Sequence, residues 1–285
     1  MEVYMIYTKF PLIALIVFSL AAPALSETAE EKGIRLMKMN DDQPTFQKYK
    51  GEAVIKIYGS AGDLRFQKKI VLASYTENWR TPNEKENYIS YFMEPADDAG
   101  NSYMMYNFKN QPDIKYVYLK GIRKAKKVTG ADKRLSFFGS DFTNGDMGKP
   151  DFTECNYKYL GDERIDFKGK LFDCYVIESI PKTDEIKNDT GYGRKVTYLE
   201  KKTLLTLRFD YFDEHKIKIK ELKLLSFLSR NNVRGQKVYF YTGYEMKNAK
   251  RGTKTELLFK NLKFEDEANI NPNIFSVEYM TRKWW

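Results

Sequence analysis

Histidine is almost missing from this sequence. The one copy, His215, sits in Asp213-Glu214-His215-Lys216, a polar stretch that reads as a hairpin turn. A single histidine leaves no His pair for zinc and no material for a His-containing catalytic triad elsewhere. Gly-x-Ser-x-Gly is also missing, as are the glycine patterns of P-loop and Rossmann sites. Carboxylate pairs such as Asp97 with Asp98 and Glu265 with Asp266 fall in expected loops, where solvated charge is the ordinary state. Spacing alone does not exclude a glycosidase, whose acids come from distant parts of a chain, but nothing favours one. The expectation is a protein with no catalytic residues, no cofactor and no metal.

Long apolar runs are equally scarce. The only one lies near the start, from Pro11 to Leu25, after a short segment ending in Lys9. Ala24-Leu25-Ser26 then supplies small residues for cleavage before Glu27, so residues 1–26 read as an export signal. An uncleaved anchor is the alternative, but a spanning helix needs about 20 apolar residues. No Pro/Gly/Ser-rich linker and no internal repeat divides the remainder, and residues 27–285 are expected to form a single domain.

Cysteine is limited to Cys155 and Cys174. An even count in an exported protein favours a disulfide between them, worth roughly 3 kcal/mol. Two free buried thiols are the other possibility, because sequence does not show whether the Cα atoms approach closely enough.

What the chain has in quantity is positive charge and aromatic rings: net charge +9, with 21 Tyr and 19 Phe. The charge suits an anionic partner such as lipid headgroups or an acidic protein surface, or simply solubility. Export argues against nucleic acid.

After an expected helix from Glu27 to about Met39, opened by Glu27, Glu30 and Glu31, the pattern is that of strands. Around ten alternating segments, separated by short turns, imply an antiparallel meander. Between them, Gly139 to Met147 breaks the alternation, and Thr143 with Asp146 three residues on reads as a capping box opening a short helix.

Side chains alternate between faces with period two. In 204–212 the dry face carries Leu205, Leu207, Phe209 and Tyr211, and the wet face Thr206, Arg208 and Asp210. Segments 88–93 and 103–108 are instead apolar on both faces. One face carries Tyr88, Phe92, Tyr103 and Met105; the other carries Ile89, Tyr91, Met93, Met104, Tyr106 and Phe108. Too little helix is expected to cover both. A closed barrel, a helix in the concavity or a ligand would provide the shield, and a thick self-filled core is the bland alternative. The face of Ile89, Tyr91, Met93, Met104, Tyr106 and Phe108 is taken as the ligand-binding one.

The basic run Gly121-Ile-Arg-Lys-Ala-Lys-Lys127 places Lys124 and Lys126 on one face, beside Arg123. It reads either as a docking patch for anionic headgroups or an acidic partner, or as a strand edge guarded by lysines.

Tyr118-Leu119, Arg123-Lys124-Ala125-Lys126-Lys127, and Phe137-Phe138-Gly139-Ser140-Asp141-Phe142 with Asp146 together resemble the outer-membrane lipoprotein-sorting proteins, which are similar to the LolA and LolB periplasmic carriers. Tyr157-Lys-Tyr-Leu160, Cys174-Tyr-Val-Ile-Glu178 and Ile180-Pro181-Lys182 extend the resemblance, which covers nearly the whole chain after residue 26. It implies a mainly β (α+β) fold: a strongly curved antiparallel sheet forming an unclosed β-barrel with a helical lid. It further implies a cavity for a lipid or lipoprotein acyl chains, no chemistry, and a monomer in the periplasm of a Gram-negative envelope. The implied partner is an inner-membrane RND/MMPL-type exporter or an outer-membrane receptor. Gly139, Ser140, Asp141 and Phe142 transfer as a structural motif, with Gly139 allowing an unusual backbone angle. The rival function is a non-carrier adaptor of an envelope exporter complex.

Overall fold

The computed structural model describes residues 26–109, 111–148 and 151–285, so all but Ser26 of the expected export signal lies outside the described residues. Helix α1 (Ala29–Asp41) is followed by β1 (Lys48–Tyr58), β2 (Leu64–Glu77), β3 (Lys85–Glu94), β4 (Ser102–Phe108), β5 (Gln111–Leu119) and β6 (Lys124–Lys127). A second run holds β7 (Cys155–Phe167), β8 (Lys170–Pro181), a short helix α2 (Asp184–Thr190), β9 (Arg194–Glu200), β10 (Thr206–Phe212), β11 (Lys218–Asn231), β12 (Lys237–Asn248) and β13 (Thr253–Phe264).

The thirteen strands of the described residues join one antiparallel sheet in the order β6-β5-β4-β3-β2-β1-β13-β12-β11-β10-β9-β8-β7. Each half is a meander, and the pairing of β1 with β13 joins them. β6 and β7 stay unpaired with each other, so the curved sheet is not closed. Eight of the twelve strand pairings carry a register irregularity. Each such step bends its strand and adds twist, which lets a sheet this wide curl into a trough.

The order also dictates where the β6–β7 connection runs. It leaves one edge of the sheet and re-enters at the other, so it crosses the concave side. It carries Phe137 and Phe142 into the concave core, against Ala53, Ile55, Leu72, Phe92 and Tyr103. Residues 139–147 take no helical form; the connection's helical turns are the 3-10 turns Gly130–Arg134 and Phe152–Glu154 on either side. Thr143 and Asp146 do bond reciprocally, Thr143 N to Asp146 Oδ2 at 2.8 Å and Asp146 N to Thr143 Oγ1 at 3.1 Å, but they close a turn. The capping chemistry expected here is present without the helix, because the chain turns straight back toward β7.

At the β7 end the concave side is covered by α1. Its start is a capping box between Thr28 and Glu31. Leu36 packs on Tyr157, Ile177, Leu199 and Leu204. Helix and sheet approach so closely that a Cβ on Gly33 would lie 2.8 Å from the backbone nitrogens of Lys158 and Tyr159.

The convex face of β2, β3 and β4 is covered by the C-terminal segment. Ile274, Phe275 and Met280 bury Ala73, Ile89 and Met104. The segment is tied down by Ser102 Oγ donating to the Met280 carbonyl (2.7 Å) and Tyr106 Oη donating to that of Phe275 (3.0 Å).

The two cysteines are free thiols, against the expected bridge. Cys155 pairs across the β7–β8 ladder with Pro181, whereas Cys174 pairs with Glu163. Cys174 and Pro181 are both on β8, and seven residues of strand at about 3.3 Å each hold the thiols far beyond bridging range.

Candidate functional site

The plug of Phe137 and Phe142 fills one part of the trough, and α1 covers another. Between them remains a cavity of about 570 Å³. One wall comes from β3 and β4 through Tyr88, Tyr103 and Met105, and the opposite wall from β10 and β11 through Leu207, Phe209, Tyr211, Leu222 and Leu224. Tyr49, Tyr244 and Phe259 from β1, β12 and β13 form the floor between the walls. Burial raises the phenol pKa values of Tyr49, Tyr88, Tyr211 and Tyr244, so these rings stay neutral and present apolar surface.

The mouth is polar, with exposed Lys38, Asp42, Thr45 and Lys109 around it. It is fastened on two sides. Asn40 Nδ2 donates to the Leu204 carbonyl (2.9 Å), tying the end of α1 to the β9–β10 turn. Arg80 donates to the carbonyls of Gln43 (3.0 Å) and Asp42 (3.3 Å), tying the segment after α1 to the β2–β3 turn.

The plug is pinned from below. Asp141 is 2% exposed and accepts from Thr253 Oγ1 (2.6 Å), Arg251 Nη2 (2.8 Å) and Thr255 Oγ1 (2.9 Å), while its own N–H donates to Thr255 Oγ1 (2.9 Å). Ser140 Oγ donates to the Phe137 carbonyl at 2.7 Å. Gly139 has φ +82°, a left-handed angle that admits glycine most easily. A second polar knot lies where the plug meets β11. Asp146 accepts from Lys220 Nζ (3.2 Å) and Tyr192 Oη (2.9 Å), and Lys220 also reaches Tyr192 Oη (2.9 Å).

Of the six expected lining residues, the structure brings only Phe108 to the cavity, at the end of β4 where register with β5 breaks. Ile89 and Met104 lie on the convex side under Ile274, Phe275 and Met280. Tyr106 bonds the Phe275 carbonyl, Tyr91 packs at a tilt against Trp285 with ring centroids 4.6 Å apart, and Met93 follows on the same face, partly buried. The correction has a plain cause. Alternation separates two faces but carries no sign, and the C-terminal segment that shields the convex one has no strand or helix period of its own. Tyr88, Tyr103 and Met105, on the opposite face of the same strands, are the ones that line the cavity. The dry face of β10, in contrast, is a cavity wall. Lys195, a further lining residue, carries no sequence signal at all.

Gly139, Ser140, Asp141 and Phe142 form the plug, as a structural element. Arg123, Lys124 and Lys126 are exposed at the free edge strand β6, Arg123 in a left-handed turn and Lys126 paired with Asp132 at 2.8 Å. His215 is exposed in the β10–β11 turn, and among the described residues no group of three His, Cys, Asp or Glu side chains is arranged to hold a metal ion.

Among solved structures, a DUF1329 family protein from Desulfovibrio piger is similar at TM-score 0.75 and 25% identity, over 89% of this chain and 99% of that one. An outer membrane lipoprotein-sorting protein domain from Vibrio parahaemolyticus has TM-score 0.74 and 19% identity, over 89% of this chain and 100% of that one. A LolA superfamily protein from Nitrosomonas europaea has TM-score 0.59 and 18% identity, again over 89% and 100%. These two share the fold. No curated protein matches the chain. Residues 84–282 match the model of a DUF1329-like family described as uncharacterized protein. With most of its length inside that match, and a LolA-like trough beneath it, the chain belongs to the DUF1329-like family.

Proposed function

We propose that residues 27–285 are one periplasmic, monomeric, non-enzymatic carrier domain, which holds a lipid or the acyl chains of a lipoprotein in transit to or from the outer membrane. The observation that carries this reading is the cavity of about 570 Å³ between the plug and α1, walled largely by aromatic and aliphatic side chains and opening at a polar mouth. That size and composition fit a small-molecule site. An acyl chain entering it gains up to about 0.8 kcal/mol per buried CH₂. Release to an exporter or outer-membrane receptor requires a second state with weaker affinity. The bonds of Asn40 to Leu204 and of Arg80 to Asp42 and Gln43 are the ones an opening mouth would break.

Organic extraction of protein purified without detergent, followed by mass spectrometry, tests carriage, together with uptake of a fluorescent fatty acid. Leu207→Trp, which fills the cavity from one wall, is expected to abolish uptake while the protein stays folded. A reproducibly empty protein that takes up no acyl probe sinks the proposal.

The adaptor reading rests on a different observation, the unpaired edge of β6 with exposed Arg123, Lys124 and Lys126. Lysines also guard edge strands against unwanted pairing. Charge reversal at Lys124 and Lys126 separates the readings: loss of an envelope partner with intact acyl uptake supports the adaptor.

A further inference from the structure

The cavity holds one charge that the protein leaves unanswered. Lys195 lies on β9, paired in register with Tyr211 of β10 and Ser179 of β8, and its side chain lines the cavity beside Phe209 and Tyr211. Its Nζ sits 5.1 Å from the centroid of the Phe209 ring, and no carboxylate of the described residues lies within 4.0 Å. The other basic groups of the lining are engaged or exposed. Lys38 pairs with Asp42 (3.0 Å), Arg208 with Asp210, Arg80 with two carbonyls, and Lys109 lies open at the mouth.

None of the groups that feel the Lys195 charge, Asp146, Cys155 and Glu154, makes an ion pair with it. Asp146 is already held by Lys220, Tyr192 and the Thr143 N–H. Burial keeps the Cys155 thiol protonated and pushes the Glu154 carboxyl upward. Burial likewise lowers the Lys195 pKa, the mark of an ammonium short of partners. An ammonium in an apolar cavity is costly unless something pairs with it.

We infer that the ligand is an acyl chain with a single anionic head, a fatty-acid-type carboxylate, and that Lys195 binds this carboxylate inside the cavity while the chain lies against the β10 and β11 wall. One ammonium matches one negative charge, and the leucines of that wall match hydrocarbon. This inference rests on the carrier reading and specifies its ligand.

The test uses the mature protein and two fluorescent probes of equal chain length, a fatty acid and the matching fatty alcohol. A charge-assisted hydrogen bond corresponds to roughly a tenfold to hundredfold preference for the acid. Lys195→Met keeps the length and apolar bulk of the side chain. It is expected to bind the alcohol as the wild type does and to lose the preference for the acid, whereas Lys195→Arg retains it. Unchanged alcohol binding also shows that the variant is folded. Equal affinity of the wild type for both probes, or a preference that survives in Lys195→Met, overturns the inference and leaves carriage standing. Failure of both probes to enter the wild type overturns the carrier reading, and this inference with it.

Discussion

Asp141 and Thr255 hold each other in both directions: the Thr255 hydroxyl donates to Asp141 Oδ2 and accepts from the Asp141 N–H, each at 2.9 Å. The contact joins the plug to β13, one of the two strands that unite the halves of the sheet. It therefore fixes how far Phe137 and Phe142 enter the trough, and so how much of the trough is left for a ligand.

Removal of that anchor is measurable. Asp141→Ala strips the acceptor from Thr253 and Thr255 and from Arg251, of which only the half-exposed Arg251 regains water easily. A loss of about 2–4 kcal/mol is expected in urea unfolding. Asp141→Asn, which keeps the shape and one acceptor, is expected to cost less. An unfolding midpoint unchanged in Asp141→Ala would contradict the anchoring role.

The C-terminal segment acts on the other face. Met280 is fully buried against the convex side of the sheet, and Met280→Ala is expected to cost about 2–4 kcal/mol of stability through the void it leaves. Acyl uptake, which the carrier proposal assigns to the concave side, should be retained at temperatures where the variant is folded. Equal loss of uptake in the folded variant would show that the two faces are coupled.

Acid should weaken the protein partly through Glu221. Burial alone would raise its pKa. Hydrogen bonds from Lys218 and Lys223, with the charges of Lys218 and Arg208, outweigh burial and hold it down at about 2. A carboxylate lowered in the folded state stabilises above its unfolded pKa, and that contribution fades as pH falls from about 4.5 toward 2. The side chain is 16% exposed, so the expected share is about 1–2 kcal/mol, below the roughly 3 kcal/mol that the full shift would imply. Glu221→Gln should flatten stability against pH in that window. A slope identical to wild type would exclude the contribution.

Thiol chemistry separates the bridge expected from composition from the free cysteines of the structure. Burial pushes the Cys174 thiol up to about 12, and the side chain is sealed from solvent. Thiol reagents should leave Cys174 unmodified in the native protein and modify both cysteines once it unfolds. A reductant should leave the Tm unchanged. A Tm that falls on reduction would point to a bridge.

Periodicity alone carried much of the architecture. The strand segments, the order of turns and the opening helix followed from alternation, turn residues and early acids, because those are local properties of a chain. The dry face of β10 was equally legible, since one side of that strand is apolar and the other is not. Likeness to the fold of sorting-protein structures was legible in the segment from Tyr118 to Lys182, where Gly139 takes a left-handed angle and Asp141 anchors the plug.

Tertiary structure decided everything that depends on which surface meets which. Strands β3 and β4 are apolar on both sides, so no pattern within them distinguishes Tyr103 and Met105 from Met104 and Tyr106. The choice was made by a C-terminal segment more than 150 residues away in sequence, which bonds Ser102 and Tyr106 and claims the convex face. The separation of Cys155 from Cys174 was set by the β7–β8 register, and the isolation of Lys195 by packing that leaves no carboxylate of the described residues within 4.0 Å of its ammonium. Contacts between distant parts of a chain are properties of the packed molecule, and local sequence pattern does not contain them.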